Sequence, residues 1–201
     1  QMKTAICFDL DGTITKQEIL PLIAKEIDLH DEISVLTDAT IRGLIPFQKS
    51  FRLRCRLLDS VPISRVRQIV GNTVLNTDIV EFINENSENC FVVSGNLDIW
   101  IEPLLEKIKC RHFVSNAIAE NDKLITISKV LDKSTAIEEL REKFERIIVV
   151  GEGMNDVPMF ELADIGIAYG GVHFPNSTVI QLSRYVVFDG VALCKLLKTL
   201  L

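Results

Sequence analysis

A chain of 201 residues suffices for one α/β domain, or for one core domain carrying a smaller insert. Its 47% hydrophobic and 25% charged residues describe an ordinary globular protein, and a net charge of −6 argues against a nucleic-acid-binding surface while leaving room for a local anion pocket. Five scattered cysteines without a CxxC pair point away from a disulfide framework, and no apolar run approaches the ~20 residues of a membrane span.

The first predicted strand is Ala5-Ile6-Cys7-Phe8, an unalternated apolar run that reads as buried on both faces, as in parallel sheets. It runs straight into Asp9-Leu10-Asp11-Gly12-Thr13. Residues two apart share a face, so both carboxylates can lean towards the crevice that an open α/β sheet presents at the carboxyl ends of its strands. Acids that close repel unless a cation or proton sits between them. An ordinary polar turn is the plain alternative, since Asp and Gly are common turn residues.

The stretch from about Glu18 to Val70 is predicted helical. Ile19, Leu22, Ile23 and Ile27 have helical spacing, as do Phe47, Phe51, Cys55 and Leu58; Pro46 can open the second helix, and Pro62 separates it from a shorter one bearing Ile63, Val66 and Val70. A helix with Ile79, Val80 and Ile83 follows. Cys90-Phe91-Val92-Val93 is a second buried strand, expected to stop at Ser94-Gly95-Asn96. Leu97 to Ile108 is helical, with a kink or a later start expected at Pro103. His112–Ser115 is a short strand, and Asn121-Asp122-Lys123 a turn between small strands at Ala117–Glu120 and Leu124–Ile127. Thr135-Ala136-Ile137-Glu138 matches a capping box that starts a further helix. Ile147-Ile148-Val149-Val150 is a third buried strand, ending in Gly151-Glu152-Gly153-Met154-Asn155-Asp156. Strands at Ile165–Tyr169 and Tyr185–Phe188 and a final helix complete the chain. The alternation predicts a doubly wound parallel α/β sheet, with a core of residues 1–14 and 75–201 and a small helical bundle, 15–74, inserted after the first strand.

Three buried strands thus end in polar residues beside glycine, and in a parallel sheet these ends meet at one edge. Carboxylates gathered there without histidine or cysteine make an oxygen-only site suited to Mg²⁺. Ser94 and the glycine-loop amides can hydrogen-bond phosphate oxygens, and Lys133 adds a positive charge. These are the parts of phosphoryl transfer. On the second helix of the insert Phe47, Phe51, Arg54 and Leu58 form one stripe, whereas Arg52 and Arg56 point away. A charge on an apolar face needs an anionic partner. His30, His112 and His173 lack ligand spacing and read as surface or packing residues, Arg65 and Arg67 as a solvated helix face, and Cys55 as packing.

The order and spacing of Asp9-x-Asp11-Gly12-Thr13, Ser94-Gly95, Lys133 and Gly151-Glu152-Gly153-Met154-Asn155-Asp156 resemble the four motifs of the haloacid dehalogenase superfamily of phosphohydrolases. The insert, through Glu18, Gly43, Phe47, Arg54 and Leu57-Leu58, resembles the cap of its phosphoserine phosphatases. The resemblance implies a Mg²⁺-dependent, aspartyl-phosphate-forming hydrolase of small phosphorylated metabolites, phosphoserine foremost, acting in serine biosynthesis in the cytoplasm. It implies Asp9 as nucleophile and Asp11 as general acid and base. It implies Ser94 and Lys133 as the groups holding the phosphoryl oxygens, and Mg²⁺ on Asp9, the Asp11 carbonyl and Glu152, supported by Asp156. Substrate contacts fall on Glu18 (ammonium), Arg54 (carboxylate), Phe47, Ser94, Gly95, Asn96 and Asn155. Pairing of Arg54 with Glu18 or another acid of the insert stands as the structural alternative.

Two positions depart from the family pattern: Glu152 stands where aspartate is usual, and Asn96 where a second glycine is usual. The rival readings are the same chemistry on another phosphomonoester, and a non-catalytic phosphometabolite-binding protein on a decayed scaffold. A signalling receiver domain also clusters aspartates, but the helical insert and Ser94 argue against it. No nucleic-acid or membrane partner and no signal peptide before Lys3 are expected. The oligomeric state stands open between monomer and homodimer.

Overall fold

The computed structural model describes residues 2–201. A seven-stranded sheet has the order β4-β3-β2-β1-β5-β6-β7. Its strands are β1 (Thr4–Phe8), β2 (Cys90–Leu97), β3 (Arg111–Glu120), β4 (Lys123–Lys129), β5 (Arg146–Gly151), β6 (Ile165–Tyr169) and β7 (Tyr185–Val187). All neighbours pair in parallel except β3 and β4.

The unalternated strands are explained by two cores. In β1, Ile6 and Phe8 face one hydrophobic cluster while Ala5 and Cys7 face another, and β2 and β5 divide in the same way. The first cluster packs under α5 (Thr77–Glu85), α6 (Asp98–Ile108) and α10 (Gly190–Leu200). The second packs under α7 (Lys133–Arg141), α8 (Val157–Leu162) and α9 (Ser177–Leu182). Helices on both faces make the sheet doubly wound.

Between β1 and α5 the chain forms four helices, α1 (Ile19–Ala24), α2 (His30–Ile41), α3 (Phe47–Leu58) and α4 (Ile63–Gly71). The two crossings into and out of this insert lie side by side. Lys16 N–H donates to the Val74 carbonyl (2.9 Å) and Asn76 N–H to that of Ile14 (2.8 Å), around a Thr15–Leu75 bridge. The amphipathic reading of α3 holds: Phe51, Arg54, Cys55 and Leu58 are buried, and Arg52 and Arg56 exposed. α4 begins after Pro62 without a local side-chain cap, and Asp122 supplies one from the β3–β4 turn. Its Oδ1 accepts the Ser64 N–H (2.8 Å) and its Oδ2 the Ser64 hydroxyl (2.6 Å).

Several expectations change in detail. Strand β2 does not stop at Ser94 but runs to Leu97, with Ser94 opposite Val114 and Leu97 opposite Ser115, so Gly95 and Asn96 bulge out of the ladder. The two short strands expected at 112–115 and 117–120 are one continuous strand, β3, whose hairpin turns on Asn121 and Asp122, both with positive φ (51° and 63°). Helix α7 starts at Lys133 rather than at the Thr135 box, because the Asp132 side chain already accepts from Ser134 N–H (3.0 Å). Pro103 lies inside α6, and the Ile99 carbonyl it leaves without an amide partner accepts from Arg67 Nη1 (3.4 Å). Arg67 also pairs with Glu102 (2.9 Å) and Arg65 with Glu26 (2.7 Å), so this helix face is tied to its neighbours rather than merely solvated. No helix among the described residues is long and apolar enough to cross a membrane.

Candidate active site

β1 lies between β2 and β5, where the strand order turns and the flanking loops part to leave a crevice. Asp9 stands at this point, still joined to the sheet through its N–H to the Val150 carbonyl (3.0 Å). Lys133, the first residue of α7, reaches in from the side. Its ammonium donates to Asp9 Oδ1 and to Asp156 Oδ1, both at 2.7 Å and both in the interior. Asp156 is thereby fully engaged, since its Oδ2 accepts the N–H groups of Glu152 (2.9 Å) and Gly153 (3.1 Å). It fixes the β5–α8 loop and aims the lysine.

Glu152 reaches the same place. Its side chain is buried, Oε2 accepts from the Thr13 hydroxyl (3.4 Å), and its carboxylate falls within 4.8 Å of those of Asp9 and Asp156. Three carboxylates around one ammonium leave two negative charges, which a divalent cation would balance. The titration behaviour agrees. Burial and then Asp156 push Asp9 up to about 7 against the pull of Lys133. Burial, Asp9 and Asp156 raise Glu152 well above the usual carboxylate range. Burial opposes the Lys133 charge, but Asp156 and Asp9 more than offset it and keep the ammonium protonated. An oxygen-only, charge-deficient cluster of this kind fits Mg²⁺.

The side chain of Asp11 is not part of that cluster. Its Oδ1 accepts the first N–H of α1, from Ile19 (3.1 Å). Burial, then Glu18 and Asp9, push its carboxyl up to about 8. Gly12 next to it has φ 76°, and a Cβ there would come within 2.9 Å of Glu18 Oε1, so the turn needs glycine for both conformation and space.

Above the carboxylates is a cavity of about 50 Å³. Asp9, Asp11, Gly95, Asn96, Glu152 and Asn155 wall it from the sheet side, and Glu18, Thr37, Phe47 and Arg54 from the helical insert. Phe47 stacks on Phe51 (centroids 5.3 Å apart) and its ring presses on Gly95 so closely that any side chain there would clash. Arg54 is buried and among the described residues hydrogen-bonds only neutral groups, the Ser50 carbonyl (3.3 Å) and the Thr37 hydroxyl (3.1 Å). Burial lowers its pKa although Cys55, Glu18 and Asp11 draw it up. The pairing of Arg54 with Glu18 is not formed. Ser94 lies behind the cavity wall, its hydroxyl accepting the Asn96 N–H (3.1 Å).

Two residues at the site carried no motif. Thr37 meets Arg54 from α2. His173, read from sequence as a surface or packing residue, instead binds Glu18, Nε2 to Oε1 at 2.9 Å. Its position in the loop after β6, at the carboxyl edge of a parallel strand, is the signal that could have found it.

This arrangement is that of a known class. The haloacid dehalogenase-like hydrolase pattern matches residues 6–161, and the chain belongs to that family. Within it the chain is phosphoserine phosphatase-like. The phosphoserine phosphatase of Archaeoglobus fulgidus is 31% identical over 180 residues, which span 83% of this chain and 52% of that protein. The chain thus spans about half the length of that relative. The Methanocaldococcus jannaschii phosphoserine phosphatase is 29% identical over 180 residues, 83% of this chain and 85% of the other. A substrate-bound phosphoserine phosphatase structure superposes with a TM-score of 0.85 at 24% identity, over 98% of this chain and 99% of that one; this likeness concerns the fold.

Proposed function

We propose that the chain is a Mg²⁺-dependent phosphomonoesterase working through an aspartyl-phosphate, on a small phosphorylated metabolite that carries a carboxylate, phosphoserine or a close relative. The observation that carries this reading is the buried set Asp9, Lys133, Asp156 and Glu152, opened on one side to a cavity whose far wall holds a cation without an acidic partner. Residues 1–14 and 75–201 act as the catalytic core and 15–74 as a cap that closes over the substrate. The protein works in the cytoplasm.

Asp9, Glu152 and the Asp11 carbonyl, supported by Asp156, would hold the metal. When bound, Mg²⁺ offsets the charge of the phosphoryl group and orients it. An Asp9 carboxylate oxygen attacks phosphorus while the ester oxygen leaves and takes the proton of Asp11, whose raised pKa keeps that proton available near neutrality. Asp11, now a carboxylate, takes a proton from the water that attacks the aspartyl-phosphate, releasing inorganic phosphate and restoring Asp9. Lys133 holds Asp9 in line and meets the negative charge of the phosphoryl oxygens. The backbone of Gly95 serves those oxygens with Ser94 holding its loop from behind, Arg54 serves the carboxylate, and Phe47, Asn96 and Asn155 the body of the substrate.

The test is phosphate release from a chromogenic aryl phosphate and from phosphoserine, with Mg²⁺ and after chelation. Metal-dependent release from both is expected. No release from any phosphomonoester, alongside tight phosphoserine binding, would make the protein a binder instead.

A further inference from the structure

Resting on that reading, the closed end of the cavity says more about which carboxylate-bearing phosphoester it takes. The first observation is the state of Glu18, the residue matched to ammonium recognition. Its Oε1 is held by His173 Nε2 at 2.9 Å. The contact is built in. Gly12, lacking a Cβ, leaves room for the ring, since a methyl there would come within 2.9 Å of His173 Cδ2. The 170–176 loop that carries His173 is fastened by Asn176, whose N–H donates to the Glu152 carbonyl (2.8 Å) and whose Nδ2 donates to the Arg42 carbonyl (3.5 Å). An N–H of the ring thus takes one of the two carboxylate oxygens that an ammonium would use.

The second observation is independent of the first. Asn96 is 4% exposed and lines the cavity. Its Oδ1 accepts the Leu97 N–H (2.8 Å), which fixes the orientation of the amide. Its Nδ2 has no hydrogen-bond partner among the described residues. A buried donor left unpaired at the edge of a ligand cavity asks for an acceptor from the ligand. An ammonium group has three donors and no acceptor. It cannot serve Asn96, and it finds one of the two Glu18 oxygens already held by His173.

We propose that His173 and Asn96 are specificity-determining residues, and that they fit the site to a phosphorylated hydroxy acid, with a hydroxyl where an amino acid carries its ammonium. The hydroxyl oxygen accepts from Asn96 Nδ2, its proton goes to the Glu18 oxygen that His173 leaves free, and Arg54 takes the carboxylate. Unlike the ammonium, a hydroxyl is both donor and acceptor.

The probes are 3-phosphoglycerate, as the racemate, and O-phosphoserine, which differ at that one group. The measurement is the ratio of their kcat/KM values in the parent, His173→Ala, His173→Gln and Asn96→Gly. The parent should favour 3-phosphoglycerate. His173→Ala should shift the ratio at least three-fold towards phosphoserine. His173→Gln, whose amide can still donate to Glu18, should hold the parent ratio. Asn96→Gly should weaken 3-phosphoglycerate more than phosphoserine. A parent that favours phosphoserine, or a smaller shift in His173→Ala, overturns the proposal. Calorimetric binding of the same two compounds to Asp9→Asn protein reads the ratio without turnover. Absence of hydrolysis in the parent therefore counts against the phosphatase reading alone, while the binding ratio still decides the one made for His173.

Discussion

Replacing Arg54 with methionine separates substrate recognition from folding. Arg54 is 5% exposed and sits on the apolar stripe of α3, and among the described residues its guanidinium bonds only the Thr37 hydroxyl and the Ser50 carbonyl. Methionine keeps most of the volume and removes a charge that burial already disfavours. The two lost hydrogen bonds, about 1 kcal/mol each, are offset by the relieved desolvation, so stability should change by less than ~1.5 kcal/mol and Tm by less than ~5 °C. Under the proposed function, the substrate carboxylate is the charged partner of Arg54. Losing that contact from a closed cavity costs about 2–5 kcal/mol, a roughly thirty- to several-thousand-fold loss of kcat/KM. Kinetics of Arg54→Met on phosphoserine and 3-phosphoglycerate, against phosphoethanolamine, which lacks the carboxylate, read the difference, and thermal melts check the fold. Equal losses on all three substrates, or a collapse in Tm, would show that Arg54 only holds the insert together.

Glu152→Ala should raise the Mg²⁺ concentration for half-maximal activity at least ~10-fold, whereas Glu152→Asp should preserve or improve it; a metal titration in which Glu152→Ala matches the parent removes Glu152 from the metal. In metal-free protein the folded-state pKa values of Asp9, Asp11 and Glu152 all lie above their unfolded ones. The folded chain therefore holds the extra protons between about pH 4 and pH 8, and stability falls as pH rises through that window. Calorimetric melts should show a lower Tm at pH 8 than at pH 5, and a larger gain on adding Mg²⁺ at pH 8, reaching about 2.7 kcal/mol at one hundred times Kd; a Tm flat across that range contradicts the cluster's charge state. Gly12→Ala should lose most activity and cost about 1–3 kcal/mol, because φ is 76° and the new methyl meets Glu18 and His173; parent-like kinetics in that variant count against the packing of this turn.

Some features of the fold are encoded locally along the chain, and others only by contacts that folding makes. Ala5–Phe8 and Ile147–Val150 were legible as buried parallel strands because both faces of each strand meet a hydrophobic core. The meeting of Asp9, Asp11 and Glu152 at one cavity was legible because a doubly wound sheet brings strand ends together. The bulge at Gly95 and Asn96 was not, since it depends on how β2 pairs with β3. The early start of α7 was missed because Asp132 competes with Thr135 for the cap and lies nearer the first free amides. The pairing of His173 with Glu18 was not legible, because the two lie 155 residues apart and are joined only by folding.

The proposed chemistry turns on Asp9. Rapid acid quench of the enzyme turning over an isotopically phosphate-labelled substrate in the presence of Mg²⁺, followed by peptide mass spectrometry, tests it most directly. The expected result is covalent label on Asp9, accumulating further in Asp11→Asn when the substrate is an aryl phosphate whose leaving group needs no proton, and absent from an inactive Asp9→Asn protein. Phosphate release by Asp9→Asn at the parent rate, or label on another residue, would contradict the mechanism.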